Sequence, residues 1–420
     1  MNRRAFLAGG GSALGTMLIA GWPRLTRGDD RAPDLPQEQR AADLLHAYDA
    51  QGNHRTATDA DNLGAEWLAA EVRRLGVTPV LEAFAVDRVD PQACYVRIGS
   101  RRIDGVPLFD AGATGAEGIR GAFGAVGSNA AIALAEAVPS DLAQAGSERR
   151  RAFLPEVRRS AHKAVVLLTR GPRPGLFLLN APLFTRPEGP PTLQVSSIDA
   201  DWLHAQSRAR AEATLVASVR RTPATAYNVT ARIAGRDPKL PPLVVMTGRS
   251  GWWQSTSERG GGVVCWLETM RALAAARPAR DCLFAALSGH EIGNLGFDAY
   301  LERRGDLVKR AKVWIHFGAN IGAPRQPNLV QAADQALEGR LVAALARHGV
   351  PADRIAPPGA VPFGESAQVK RGGGRHLALL CDSDVFHHPA DRWPESVDVA
   401  VLTRYAQAFA EAARGLAADG

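Results

Sequence analysis

The sequence predicts a doubly wound α/β fold that is interrupted by a mostly β insert. From Ala224 onward, short continuous apolar runs alternate with amphipathic stretches, which is typical of parallel strands covered on both faces by helices. Between about Asp87 and Arg221 the composition changes, because Gly and Pro become frequent and short apolar runs alternate with loops. We therefore expect an α/β domain formed by residues 31–86 and 222–420, with the insert at 87–221.

The predicted elements follow from their apolar patterns, taken in chain order. Upstream, Gln37–Asp49 and Leu63–Leu75 have helical periodicity, and VTPVLEAFAV indicates a strand. In the insert, HKAVVLLT and PTLQVSSI indicate strands, and the second leads into a short helix. After the insert, strands are predicted in PLVVMT, DCLFAALS, KVWIHFG and HLALLC. Helices are predicted in GGVVCWLETMRALAAAR, GFDAYLERRG, ALEGRLVAALARHG and Ser396–Leu416.

The first 30 residues have the features of an export signal. Arg3 and Arg4 precede Phe6-Leu7 and a weakly apolar run rich in Gly and Ala, a pattern that resembles a twin-arginine signal. No A-x-A cleavage site follows this run, so its retention as an N-terminal membrane anchor stays open. We expect an exported protein that is periplasmic or associated with the cell envelope.

Charge and cysteine content exclude some classes of function. The net charge of +7 is spread along the chain, and the longest basic run, Arg149–Arg151, has no interleaved aromatic residues. We therefore expect no nucleic-acid partner. The four cysteines lack C-x-x-C spacing, which excludes a zinc ribbon or a thioredoxin-type motif.

Polar residues cluster where the predicted strands end, which is where doubly wound sheets place their sites. His290 and Glu291 follow DCLFAALS, His316 lies in KVWIHFG, and a loop with His387 follows HLALLC. We expect a cleft at this edge of the sheet. Its other candidate residues are Arg249, Trp252, Trp253, Ser257, Glu258, Arg259, Glu365, His388 and Asp391.

Three segments of this region resemble the M28 family of zinc exopeptidases. They are AYNVTARIAGRDPKLPPLVVMTGRSGWW, RDCLFAALSGHEIGNLGFDAYL and VFHHPADRWPESVD. The insert strands HKAVVLLT and PTLQVSSIDADWLHA look like parts of a protease-associated (PA) domain. The resemblance implies the zinc exopeptidase fold, a site for two zinc ions and aminopeptidase-type hydrolysis.

The resemblance also implies where the zinc ligands should be, and this chain departs from most of those positions. Glu291 and His387 match two ligands of one metal. The residues that would bind only the other metal are replaced. The bridging Asp and the catalytic base are replaced as well. The replacing residues are Gly248, Ser250, Ser257, Ala319 and, at the base, His290. A paired zinc site without its bridge is not credible, so we expect a degenerate site.

Two functions remain open at this point. The first is a pseudoenzyme without a cofactor, which binds a peptide or an amide-bearing small ligand as an accessory protein. Arg249 and Arg259 would then supply positive charge in place of the cations, by pairing with Glu258 or Glu291. Trp252 and Trp253 either wall the cleft or pack the loop.

The alternative is an enzyme with a rebuilt single-zinc site, which hydrolyses or cyclises the N-terminal residue of a peptide. Glu291 and His387 would bind the zinc, and Glu258 is the first choice for a third ligand. His290 would be the base or a ligand, because imidazole titrates near neutral pH. A metal-free hydrolase has no support, because no G-x-S-x-G motif surrounds a candidate serine.

Overall fold

The computed structural model describes residues 36–138 and 156–418. Within these ranges, 14 strands form one sheet. The strands are β1 (Pro79–Ile98), β2 (Arg101–Asp104), β3 (Val106–Pro107), β4 (Ile119–Ala125), β5 (Ile132–Ala137), β6 (Ala164–Thr169), β7 (Thr192–Ser196), β8 (Glu212–Ile233), β9 (Leu243–Gly248), β10 (Cys282–Leu287), β11 (Val313–Phe317), β12 (Asn328–Ala332), β13 (Arg354–Ile355) and β14 (His376–Cys381). The helices are α1 (Gln37–Asp49), α2 (Asp59–Arg74), α3 (Ala200–Arg208), α4 (Gly261–Ala276), α5 (Leu295–Glu302), α6 (Leu307–Arg310), α7 (Gln335–Arg347), α8 (Glu365–Arg371) and α9 (Val399–Ala418).

Twelve of the strands lie in the order β13-β12-β14-β11-β9-β10-β8-β4-β5-β6-β7-β3, and outside this order β1 pairs with β8 and β2 pairs with β1. Strands β9, β10, β11 and β14 form one parallel group, and β4 to β7 form a second. The long antiparallel pair of β1 and β8 joins the two groups. The predicted α/β class is therefore confirmed.

Helices cover both faces of the first parallel group, as its continuous apolar strands predict. On β9, Val245 faces one apolar cluster, which also contains Trp266 of α4 and Phe409 of α9. The next residue, Met246, faces the opposite cluster, which contains Phe297 of α5. Because neighbouring side chains of a strand point to opposite faces, a strand buried on both sides has no polar position in its centre.

The predicted insert contains two apolar clusters of its own, but its predicted ends fall inside continuous strands. One cluster is built around Phe123, Val166 and Leu193, and the other around Leu108 and Val165. The predicted boundaries after residues 86 and 221 cross β1 and β8, whose pairing runs on without a gap at both positions. The division into an α/β domain and a PA-like insert therefore stays a prediction.

Two elements begin or end at other residues than the sequence predicts. A side-chain cap decides the start of one, and pairing with a long neighbouring strand decides the end of the other. Helix α2 begins at Asp59 rather than Leu63, because the Thr58 side chain accepts a hydrogen bond from Asp61 N and caps it. Strand β1 extends to Ile98 instead of ending near residue 86, since β8 pairs with it over its whole length. The strand β12 and the short helix α8 were not predicted.

The predicted export signal or anchor at residues 1–30 lies outside the described residues. Of the helices that the structure describes, none is long and apolar enough to cross a membrane. The thiols of Cys265, Cys282 and Cys381 are buried and free, and Cys94 is free and half-buried.

Candidate functional site

The candidate site lies at the carboxyl ends of β9, β10, β11 and β14, where the sequence places it. Arg249 follows β9, His290 and Glu291 follow β10, His316 is near the end of β11, and His387 lies beyond β14. A single π-helical turn, Thr256–Gly260, precedes α4 and brings in three more residues. These are Ser257, Glu258 and Arg259. All of these side chains are buried except that of His290, which is 15% exposed.

Glu258 is the centre of a buried cluster of charges. Its Oε1 lies 2.9 Å from Nη2 of Arg259 and 3.3 Å from Nε2 of His387. Burial raises the pKa of Glu258, but the nearby His387 and Arg259 lower it more, to about 2. The carboxylate is therefore charged, and a guanidinium from the neighbouring residue compensates it.

The Arg259 side chain occupies the space in front of Gly248. A Cβ added at Gly248 would lie 3.2 Å from Nη1 of Arg259 and 3.4 Å from its Cδ. The Nε of Arg259 also donates a hydrogen bond to Ser250 O at 2.9 Å, which holds the side chain in this position. Position 248 corresponds to the first zinc ligand of the M28 pattern, so the guanidinium lies where that ligand would project.

The Glu291 carboxylate is completely buried and already bonded to neutral groups. Its Oε1 accepts hydrogen bonds from the backbone N of Thr56, at 3.0 Å, and from the Thr56 hydroxyl. Its Oε2 accepts one from the Ser250 hydroxyl at 2.7 Å. Glu291, Glu258 and His387 do not form a group that could hold a metal ion.

Arg249 pairs with a residue that the sequence did not indicate. Its Nη1 lies 2.9 Å from Asp61 Oδ1, and both side chains are buried. Its guanidinium also donates to the carbonyl oxygens of Asp61 and Tyr227. Of the two arginines that were expected to pair with Glu258 or Glu291, Arg259 does so with Glu258, whereas Arg249 pairs with Asp61 of α2 instead.

His290 belongs to a second polar cluster. Its Nδ1 lies 2.9 Å from Oε1 of the buried Glu365, and the other carboxylate oxygen lies 3.2 Å from Nε2 of His316. The Nδ1 of His316 lies 3.0 Å from the Ser366 hydroxyl. Burial raises the pKa of Glu365, but the two histidines lower it well below its usual value. One carboxylate thus orients two imidazole rings.

Asp391 holds the π-helical turn in place. Its carboxylate oxygens accept hydrogen bonds from the backbone N of Ser257, at 2.7 Å, and of Glu258, at 3.0 Å. Burial raises the pKa of Asp391 to about 6, although these hydrogen bonds oppose the change. The Ser257 hydroxyl lies 3.5 Å from Asn320 Oδ1. Asp391 therefore fixes the backbone from which Glu258 and Arg259 project.

The two tryptophans and His388 complete the surroundings of the site. Trp252 is buried and stacks on Phe109 at 4.7 Å between ring centroids, so it packs the core rather than walls an open cleft. Trp253 Nε1 donates to His387 O at 3.0 Å. The His388 ring packs against Phe177 at 4.7 Å, and burial lowers its pKa.

These residues do not fit the pair of zinc ions that the resemblance implies. Arg259 fills the space in front of Gly248, and Ser257 offers only a hydroxyl at the bridging position. Over residues 36–138 and 156–418, no group of three or more His, Cys, Asp or Glu side chains could hold a metal ion. The arrangement can pair charges and donate or accept hydrogen bonds without a metal.

Sequence reasoning missed the residues that reach the site from distant parts of the chain. Thr56 lies in the turn before α2 and bonds to Glu291, whereas Asp61 lies in the first turn of α2 and bonds to Arg249. Leu178 of the insert contacts His387 through its main chain. A lone threonine, aspartate or leucine has no spacing that predicts such a role, so no signal in the sequence could have identified them.

No protein-family model matches the chain, and no curated protein is similar to it. Solved structures do match. The zinc aminopeptidase BSAP of Bacillus subtilis has a TM-score of 0.74 and 17% identity, over 90% of this chain and 95% of that one.

Two further solved structures are similar over nearly the same length. The Peptidase M28 precursor of Shewanella amazonensis has a TM-score of 0.72 and 16% identity, over 91% of this chain and 95% of that one. The aminopeptidase of Aneurinibacillus sp. strain AM-1 has a TM-score of 0.70 and 13% identity, over 91% and 94%. At these identities the similarity concerns the fold. The chain therefore has the fold of the M28-type zinc aminopeptidases, as the resemblance of its sequence predicted.

Proposed function

We propose that this chain is a metal-independent binding protein with a peptidase-like fold, which holds peptides or amide-bearing small ligands in the cell envelope. The observation that carries the proposal is the ion pair of Arg259 and Glu258 in front of Gly248. A guanidinium in that place supplies the positive charge that a metal would otherwise supply, but it cannot activate water as a bound zinc does.

The surroundings of the site support binding rather than hydrolysis. Backbone and side-chain polar groups at the strand ends can recognise an amide, whereas Gly248, Ser257 and Ala319 stand at positions where the M28 pattern has metal ligands. Of the carboxylates that remain, Glu258 pairs with Arg259, and Glu291 accepts hydrogen bonds from neutral donors. Export to the cell envelope is part of the proposal and derives from Arg3, Arg4 and the apolar run after them.

The proposal is tested with the purified mature protein. After dialysis against micromolar zinc we expect no stoichiometric metal, and no release of nitroaniline from aminoacyl p-nitroanilides with or without a chelator. A peptide panel screened by calorimetry should contain ligands whose affinity does not change with EDTA. Chelator-sensitive aminopeptidase activity in a clean preparation would overturn the proposal.

The rebuilt single-zinc enzyme is the second candidate, and one observation favours it. Glu258 Oε1 and His387 Nε2 lie 3.3 Å apart, and neither atom has a hydrogen bond of normal geometry. Two such atoms could bind one cation if Arg259 moved away. One zinc per chain, lost in both Glu258→Ala and His387→Ala, would establish this alternative. Retained zinc with lost turnover in His290→Ala would identify the base.

A further inference from the structure

A short extended stretch of the insert lies directly on the candidate site. It comprises residues 176–182, the cover segment, which has no regular secondary structure. Leu178 N donates to His387 O at 3.2 Å, and His387 Nδ1 lies 2.7 Å from Leu178 O. Ala181 N donates to Glu291 O at 2.7 Å. The main chain of the cover segment thus bonds to both residues that match the zinc ligands.

Some side chains of the cover segment also pack with residues of the α/β part. Leu178 and Ala181 are buried in an apolar cluster that contains Trp252 and Ile292. The Asn180 side chain accepts a hydrogen bond from Trp252 Nε1 at 3.1 Å. An apolar, extended segment with main-chain hydrogen bonds on one side is the way in which a groove commonly holds a peptide.

The opposite side of the cover segment is attached to the insert. Phe177 N donates to the Thr169 hydroxyl at 3.1 Å, and Leu179 N donates to Gln194 Oε1 at 2.8 Å. The Leu179 side chain belongs to the apolar cluster of the insert around Val165. Leu178 and Leu179 thus belong to different apolar clusters on opposite sides of the segment. Leu178 is therefore directed to the site, whereas Leu179 is directed to the insert.

His387 has a backbone conformation that depends on these contacts. Its φ angle is 62°, in the left-handed region that residues other than glycine rarely adopt. Its carbonyl accepts from both Trp253 Nε1 and Leu178 N. Such a conformation persists where the surroundings hold it, so the cover segment and His387 stabilise each other.

We propose that the cover segment is a built-in occupant of the peptide site, and that an extended apolar peptide binds by replacing it. The inference rests on the proposed function, and it adds the class of ligand and an autoinhibitory contact. Glu291 and His387 are buried and bonded to the segment, so an external peptide reaches them when the segment moves away. The sequence of the segment, LFLLNAP, then indicates what the site prefers.

Two variants remove contacts between the cover segment and the candidate site. A third, matched variant removes a contact between the segment and the insert. Leu178→Ala removes the side chain packed near Trp252, and Asn180→Ala removes the hydrogen bond to Trp252. Leu179→Ala is the control, because it truncates a leucine of the same segment that faces the insert core. Reactivity of individual histidines with diethyl pyrocarbonate, read by mass spectrometry, reports the opening.

We expect His387 to react at least tenfold faster in Leu178→Ala and Asn180→Ala than in the wild type or the Leu179→Ala control. His54, which is completely buried, should stay unreactive in all of them, which excludes global unfolding. A labelled peptide with the sequence of residues 176–182, extended by lysines for solubility, should bind the two loosened variants at least tenfold more tightly than the wild type.

The outcomes separate this inference from the proposed function. If His387 reacts equally fast in all proteins, or the wild type binds the peptide as tightly as the variants do, the inference is overturned while peptide binding stands. If the variants open but bind neither this peptide nor any member of the panel, both the built-in occupant and the proposed function are refuted.

Discussion

The guanidinium of Arg259 takes the place in front of Gly248, with Nη1 lying 3.2 Å from the point where a Cβ at residue 248 would be. The two positions are complementary, because a side chain at residue 248 would force the guanidinium of Arg259 to shift. The same guanidinium pairs with Glu258. Gly248 and Arg259 together therefore put a positive side chain where the M28 pattern has a metal ligand.

Removing the guanidinium should destabilise the protein strongly. Arg259→Ala leaves the buried Glu258 without its cation, and breaking a buried pair in this way costs about 3–5 kcal/mol. Arg259→Lys keeps the charge and should recover part of the loss, although it lacks the second donor. Urea unfolding of the three proteins measures the difference. Equal stabilities of the wild type and Arg259→Ala would show that the pair contributes nothing.

Exchanging the two complementary residues should create affinity for zinc. The double variant Gly248→His with Arg259→Ala frees Glu258 and His387 and adds an imidazole, which together make the three protein ligands of a zinc site. We expect zinc to raise the melting temperature of this variant by several degrees. The wild type and Arg259→Ala alone serve as controls. A wild type that zinc stabilises equally would contradict our interpretation of the site.

Two ion pairs of the chain should differ in strength because they differ in burial. Arg249 and Asp61 are 2% and 0% exposed, and Asp61→Asn should cost about 3–5 kcal/mol. Arg392 is 45% exposed where it pairs with Asp49, and Arg392→Ala should cost about 1 kcal/mol or less. Both costs are measured by chemical denaturation. A larger loss in Arg392→Ala would show that burial does not decide their contributions.

His54 should make stability depend on pH below neutrality. Burial lowers the pKa of His54 to about 4 from its ordinary 6.5, so between these values the unfolded state holds more protons than the folded state. Its contribution is fully present above pH 6.5 and is lost as the pH falls towards 4. The total is on the order of 3 kcal/mol.

The variant His54→Gln isolates this contribution, because an amide can still donate to Tyr48 O, which the His54 ring contacts at 3.0 Å. The free energy of unfolding should fall less steeply between pH 6.5 and 4.5 in the variant than in the wild type. Asp391, whose pKa is raised to about 6, titrates with the opposite sign in both proteins and cancels in the comparison. Parallel pH profiles would show that His54 is not the group responsible.

Export should depend on the guanidinium groups of Arg3 and Arg4. Replacing both with lysine keeps the charge but removes the pair that the twin-arginine pathway recognises. We expect the double variant to accumulate in the cytoplasm, as measured by fractionation. A double-lysine protein with normal export yield would refute the assignment, whereas a variant of Arg24 and Arg27 provides a control outside the motif.

The sequence by itself determined the α/β class, most of the core strands and the edge of the sheet that carries the site. This was possible because burial on both faces requires continuous apolar runs such as LVVM before Gly248, and because parallel strands end at a common edge. Helix α1 matched its prediction from Gln37 to Asp49, since its apolar period is local.

The tertiary structure alone decided how the charges of the site are paired. Arg249 bonds to Asp61, 188 residues away, and Glu291 bonds to Thr56, 235 residues away. Leu178, which lies 209 residues before His387, holds its imidazole. Such partners have no periodicity or spacing in the sequence, because they meet only when separate elements pack at the ends of the strands. Composition can indicate which charges need partners, but packing selects them.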